Sequence, residues 1–307
     1  MSDLKLFRIS NGKAEELFGA SMTLEKSLQT LIEHNMETLF GVRLLASEYS
    51  TGKKHAGRMD SLGIDEDGSP VIFEYKRATN ENVINQGLFY LDWLMDHRAE
   101  FKLLVMETLG APAAEQIDWR NPRLVCVAGN FTNYDEHAVR QINRNIALFR
   151  YRDFGGELLA LDLITSVTGT TIDDEVVHAA PTPKKAPGAE KTVTQLLDQA
   201  DQRLKDLYAE LEATLVALGD DVERKVLKFY FGFRRIKNFA CVEVHPKAGD
   251  LLVYLKVNPD TVDLEPGFTR DVRKIGHFGT GELEVRLTGR EHLTRALPLI
   301  QRSYDAS

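Results

Sequence analysis

Three side chains in GRMDSLGIDEDGSPVIFEYKRA, residues 57–78, have the types and spacing to do chemistry: Asp60, Glu74 and Lys76. Two strand-like runs, Arg58–Ile64 and Val71–Arg77, flank the turn-rich DEDGSP, which is the pattern of a hairpin. A loop centred on Asp67 pairs positions whose numbers sum to 134, so Asp60 stands opposite Glu74. Facing Cβ atoms in such a pair lie about 4.5–5.5 Å apart, and like charges placed there repel. The two-residue period of a strand puts Lys76 on the Glu74 face and sends Phe73 and Tyr75 to the other. Acids held this close need either a shared proton or a cation. A hard divalent ion such as Mg²⁺, taking oxygen ligands from carboxylates and a substrate phosphate, is the common solution. A solvated hairpin face of mixed charge has the same spacing and no chemistry.

The spacing Asp60-x13-Glu74-x-Lys76 resembles the PD-(D/E)XK nuclease superfamily, and the hairpin as a whole is particularly similar to that of NucS/EndoMS-like endonucleases. Met59 stands where the superfamily's name has proline. The resemblance implies a divalent-metal-dependent endonuclease in which Asp60 and Glu74 bind Mg²⁺ or Mn²⁺ and Lys76 positions or activates the attacking water. In QGLFY, Gln86 and Tyr90 are spaced i, i+4 and share a helical face. This is similar to the QxxxY motif of RecB-like members and gives Gln86 a catalytic role and Tyr90 a nucleic-acid-facing one. Glu48 sits where related nucleases often place another acid near the metal, with Glu25 and Glu33 competing for that place, and Arg58 is a candidate phosphate contact. The resemblance spans about residues 1–165, its specific core Gly57–Tyr90. It implies a restriction-endonuclease-like mixed sheet flanked by helices, DNA as the nucleic-acid partner, and a homodimer, since NucS-like enzymes often pair. The competing reading is a non-catalytic nucleic-acid or protein interaction module that keeps the fold.

The elements that must position these residues follow from periodicity. Asn11-Gly12 is a two-residue hairpin signal between runs 4–9 and 13–17. Leu24, Leu28, Leu31, Ile32 and Leu39 predict one amphipathic helix behind Thr23 as N-cap, ended by Gly41. A second helix is predicted over Asn82–His97, strands over Phe101–Met106, Leu124–Ala128 and Glu157–Leu163, and a helix over Asp135–Leu148. In that last helix Arg140 and Arg144 share a face and are candidate nucleic-acid contacts. Helices alternating with a hairpin and single strands predict an α/β class.

The proline-, alanine- and lysine-rich stretch Thr171–Lys191 predicts a linker between a nuclease-like domain, 1–170, and a smaller α+β domain, 192–307. In the second domain one long helix runs from Leu196 to Leu218, strands cover Val226–Phe233, Phe239–Val244, Leu251–Val257 and Glu282–Leu287, and a final helix covers Arg290–Tyr304. KFYFGFRRIKNF interleaves Arg234, Arg235 and Lys237 with aromatics, the composition that binds single-stranded nucleic acid, although alternate aromatics in a strand are ordinarily core. From Val193 onward the chain resembles a small domain of unknown function that has carried the label of a predicted transport protein.

A net charge of −8 excludes a protein that coats nucleic acid with its whole surface and leaves room only for a local basic site. No uncharged apolar run nears the roughly 18 residues of a membrane span, and the first residues carry no leader pattern. The expected location is cytoplasmic, without a membrane partner. Cys126 and Cys241 lie far apart in apolar runs and predict buried free thiols. The absence of HExxH, P-loop, Rossmann and GxSxG patterns excludes zinc-protease, NTPase, dehydrogenase and serine-hydrolase chemistry.

Overall fold

The computed structural model describes residues 4–52, 57–77, 82–169 and 191–307. It divides into two compact units between Ala179 and Ala180. The expected linker lies, except for Lys191, outside the described residues.

In the first unit, β1 (Leu6–Ser10) and β2 (Lys13–Leu17) form the expected hairpin, with Asn11 at φ 51° and Gly12 at φ 76° in its turn. Six further strands make a mixed sheet: β3 (Val42–Ser50), β4 (Arg58–Asp65), β5 (Pro70–Lys76), β6 (Arg123–Ala128), β7 (Asn145–Phe154) and β8 (Leu158–Val167), adjacent in that order. The β5–β6 and β6–β7 pairs are parallel and the others antiparallel. Helices α1 (Glu25–His34) and α2 (Met36–Phe40) cover one face, where the Phe40 ring meets Phe73 and Phe149 edge-on at 5.1 and 5.2 Å. On the other face, α3 (Asn82–Asp96) and α4 (Arg98–Leu109) bury Ile84, Leu91, Phe101 and Val105 against Ile72, Leu124, Cys126 and Leu148. Gly87 lets α3 lie that close: a Cβ there would stand 2.3 Å from Leu124 Cδ1. A short α5 (Ala111–Glu115) leads into β6, and α6 (Asn133–Val139) joins β6 to β7. The expected class, a mixed α/β sheet flanked by helices with a separate carboxy-terminal sheet domain, is the one observed.

Several element assignments differ from the sequence reading for local reasons. The first predicted helix breaks at Asn35, whose side-chain amide donates to the Leu31 carbonyl, a local bond that competes with continued helix. Its N-cap is Leu24 rather than Thr23, and Gly41 ends α2 at φ 63°. Residues 101–106 are helical, because Phe101 and Val105 are buried at i, i+4 spacing. The helix predicted over 135–148 stops at Val139, since Asn145–Leu148 are held in the sheet by β6 on one side and, from Ile146, by β8 on the other.

The second unit is an antiparallel six-stranded sheet with helices on one face. Its strands β9 (Glu223–Val226), β10 (Phe231–Arg234), β11 (Asn238–His245), β12 (Asp250–Leu255), β13 (Thr269–Asp271) and β14 (Leu283–Leu287) lie in the order β13-β14-β12-β11-β10-β9. The strand predicted over Val226–Phe233 is a hairpin, closed by the Leu227 N–H donating to the Tyr230 carbonyl. The long predicted helix is two, α7 (Val193–Asp198) and α8 (Gln202–Val216), because Asp201 caps the second by accepting from the Leu204 amide. With α9 (Arg290–Asp305) they cover Phe231, Phe233, Phe239, Val242, Val253 and Val285. That core is made only of residues from this unit. A fragment from Thr192 to Ser307 is therefore expected to unfold cooperatively on its own in urea, because over 110 residues around one core suffice for a domain. A broad, non-cooperative melt of the fragment would contradict this.

Candidate active site

The register Ser61 opposite Phe73 and Leu62 opposite Ile72 carries Asp60 to a position facing Glu74, just past the last registered pair of β4 and β5. There the cross-strand bonds run through side chains. The Asp60 amide donates to Glu74 Oε1 at 3.3 Å, and the Tyr75 amide donates to Asp60 Oδ2 at 2.9 Å. Glu74 is fully buried, and its second oxygen, Oε2, has no hydrogen-bond partner among the described residues. Burial first, and then the neighbouring Asp60 carboxylate, push the Glu74 pKa up to about 9. Burial also raises Asp60, with Glu25 and Glu48 adding to it, against the opposing pull of the Tyr75 amide and Lys76. Lys76 is half-buried, and burial disfavours its charge. The Glu25 carboxylate, 3.0 Å from Nζ, and the charges of Asp60 and Glu74 outweigh that and hold it as an ammonium.

Helix α1 brings Glu25 and Glu33, the acids that competed with Glu48 in the sequence, to this hairpin in supporting positions. Glu25 grips Lys76 and also accepts from the Arg77 amide. Glu33 accepts from the Ser61 hydroxyl at 2.6 Å, behind the site. Glu48, at φ 55° in β3, lies between the residues paired with Ser61 and Met59, and so beside Asp60. Its carboxylate pairs with Lys26 at 3.1 Å and Arg58 at 2.5 Å. Those two cations outweigh burial and hold it below the usual carboxylate range. Arg58 thus forms an ion pair with Glu48 while its side chain stays largely exposed. An acid on a helix has no hairpin spacing to betray it; the available signal was Glu25 opening α1 at the start of an apolar stripe.

Gln86 and Tyr90 share the α3 face, as expected, and the Gln86 amide donates to the Tyr90 hydroxyl at 3.1 Å. Tyr90, however, is buried. Its hydroxyl accepts from the Arg58 amide at 3.1 Å, and its ring lies under Gly57, where a Cβ would stand 2.6 Å from Tyr90 Cε1. Held there, it props the entry to β4 and presents little surface to any ligand. Tyr90→Phe is expected to cost about 1–3 kcal/mol, the penalty for stranding a buried donor, read from urea unfolding; an unchanged midpoint would contradict the propping role.

Of the other candidate cations, Arg140 and Arg144 belong to the first unit, and Arg234, Arg235 and Lys237 to the second. Arg140 caps the end of α6 and Arg144 lies in the turn after it, so they share no helical face, although both are exposed. Arg234 is buried beside Glu223 and donates to the carbonyls of Arg235 and Ile236. Arg235 donates to Asp221 at 2.7 Å and lies over the Tyr304 ring. Lys237 follows in the same turn, between β10 and β11. Phe231, Phe233 and Phe239 are core, which is the ordinary fate of alternate aromatics.

A hard divalent cation fits Asp60 and Glu74. The donors are carboxylate oxygens, one of them buried without a hydrogen-bond partner among the described residues, while the nearby ammonium is already engaged by Glu25. Among the described residues no group of three or more His, Cys, Asp or Glu is disposed to hold a metal, so a cation at these two acids would need further oxygen ligands from substrate and water. No helix of the described residues is long and apolar enough to cross a membrane.

The site and its mixed sheet define a chain with a buried acid, Glu74, facing a half-buried one, Asp60, on a sheet hairpin, joined to a second sheet domain. Residues 193–307 match the family described as "Domain of unknown function (DUF5655)", a description that gives the transport label no support. An uncharacterized protein of Haemophilus influenzae is 24% identical over 306 residues, 98% of this chain and 99% of that one. Two solved structures are similar in part. One is a repair endonuclease from Pyrococcus abyssi (21% identity, TM-score 0.27, 41% of this chain and 46% of that one). The other is an EndoMS–dsDNA complex (22% identity, TM-score 0.25, 44% and 47%). The chain thus spans under half the length of either solved chain.

Proposed function

We propose that the protein is a divalent-metal-dependent nuclease that hydrolyses phosphodiester bonds in DNA. The observation that carries this is the buried Glu74 carboxylate facing the half-buried Asp60 carboxylate, with the Lys76 ammonium on the same strand face. DNA as substrate rests on the resemblance of the hairpin to that of NucS/EndoMS-like endonucleases.

Asp60 and Glu74 would hold Mg²⁺ or Mn²⁺, which when bound supplies Lewis acidity at the phosphate and a more acidic water. Without a cation Glu74 keeps a proton near neutrality, and it would have to give that proton up to serve as a ligand. Lys76, charged and oriented by Glu25, presents N–H donors to a water or to charge developing on a phosphate oxygen. Gln86 acts through Tyr90, holding the start of β4, rather than on the water itself.

The test is plasmid or oligonucleotide DNA incubated with purified full-length protein and Mg²⁺ or Mn²⁺, beside EDTA and beside Lys76→Ala. Metal-dependent cleavage that falls at least about a hundredfold in Lys76→Ala, the scale of one lost stabilising donor, is expected. Binding without cleavage under every metal would return the chain to a non-catalytic nucleic-acid module.

A further inference from the structure

We infer that Gln29 is a positioning residue that holds Asp60 and Glu48 in place from α1; the inference rests on the nuclease reading of the same site.

Gln29 stands among Leu28 and Ile32 on the face of α1 turned into the protein, and it is 4% exposed. An apolar side chain would fill that position without the cost of burying an amide. Every polar atom of this one is engaged. Nε2 donates to the Asp60 carbonyl at 2.7 Å and to Glu33 Oε1 at 2.8 Å, with a longer contact to Ser47 Oγ at 3.3 Å. Oε1 accepts from Lys26 Nζ at 3.1 Å, and that same ammonium reaches Glu48 Oε1 at 3.1 Å.

The Asp60 bond matters because of where it falls in the hairpin. Asp60 lies beyond the last registered pair with β5, so its peptide is held by side chains: Glu74 receives its N–H, and Gln29 donates to its C=O. Gripped on both sides, the Asp60 backbone fixes the direction in which its carboxylate faces Glu74. Through Lys26 the same amide steadies Glu48, one strand over. Glu33 keeps the amide turned the right way, since an oxygen acceptor there leaves only Nε2 able to face it, and Glu33 is itself held by Ser61, whose hydroxyl meets the Tyr75 hydroxyl at 3.1 Å. One helix therefore sets Lys76 through Glu25, Glu48 through Lys26, and Asp60 through Gln29.

Two variants of the full chain test this. Gln29→Met keeps volume and loses every bond. The exchange Gln29→Glu with Glu33→Gln restores a bond between the two side chains and the acceptor for Lys26, but it leaves no donor for the Asp60 carbonyl. Cleavage constants and the half-saturating Mn²⁺ concentration are measured for both, together with Mn²⁺ binding in the absence of DNA. Both variants are expected to lose about 10- to 100-fold in kcat and to need about tenfold more Mn²⁺, the scale on which residues that orient metal ligands act, with KM for DNA within about threefold of wild type. The exchange is expected to melt near the wild-type temperature while remaining slow. An exchange variant that regains wild-type kcat and Mn²⁺ dependence would assign Gln29 to packing and overturn the inference, as would a folded Gln29→Met that cleaves normally. A wild-type protein with neither Mn²⁺ binding nor cleavage would instead overturn the nuclease reading, and the role of Gln29 with it.

Discussion

Asp60→Asn and Glu74→Gln are each expected to reduce metal-dependent DNA cleavage by about a thousandfold, the upper range for removing one charge-stabilising group, and to leave the fold intact. Both substitutions are isosteric, and each retains the oxygen that now accepts a backbone amide: that of Tyr75 for Asp60, and that of Asp60 for Glu74. What disappears is the negative charge a hard cation requires. The two variants therefore separate folding from chemistry more cleanly than truncation to alanine, which would strand those amides and cost stability of its own. Turnover in Asp60→Asn at the wild-type level, measured with supercoiled plasmid and Mn²⁺, would refute the role of the pair. Loss of activity accompanied by unfolding would move both residues from the reaction to the scaffold.

The second large effect is on stability without metal. Glu74 has its pKa raised from 4.5 to about 9, by burial and then by Asp60, so between those values the folded chain keeps a proton that the unfolded chain has released. The contribution of that proton to stability is complete below about pH 4.5 and is lost as pH climbs toward 9. In EDTA, the stability of the wild type relative to Glu74→Gln is expected to fall by up to about 1.4 kcal/mol per pH unit between about pH 6 and 8, because glutamine has no proton to lose. A divalent cation held by Glu74 would take the place of the proton, so any stabilisation of the wild type by Mn²⁺ is expected to grow over the same range. Parallel stability curves for the two proteins in urea would mean that Glu74 is ionised in the fold, contrary to its burial.

The acid pair was legible in sequence because hairpin register is arithmetic. Once DEDGSP was read as the turn, the sum that carries Asp60 to Glu74 followed, and the observed pairs of Ser61 with Phe73 and Leu62 with Ile72 have that sum. The supporting shell was not legible in the same way. Gln29, Glu25 and Glu33 reach the site from a helix more than twenty residues upstream of β4, and only tertiary packing decides which face of that helix looks at which strand. The same limit explains Tyr90. Its helical spacing with Gln86 was visible, but whether its hydroxyl met a nucleic acid or the Arg58 amide depended on how α3 lay on the sheet. Residues 101–106 show the complementary failure: a short apolar run fits strand and buried helix alike, and packing against Leu124 and its neighbours decided for helix. In the second unit, Arg234 and Arg235 looked like cations available to phosphate until Glu223 and Asp221 were found beside them.

The central claim is that Asp60 and Glu74 hold a divalent cation, and Mn²⁺ soaked into crystals at about pH 8, read by anomalous diffraction, tests it most directly. The expected result is one strong peak within about 2.0–2.3 Å of an oxygen from each carboxylate, the range for small divalent ions, lost in Asp60→Asn. A saturating soak that leaves no peak between the two acids, in crystals that bind Mn²⁺ elsewhere or not at all, would contradict it.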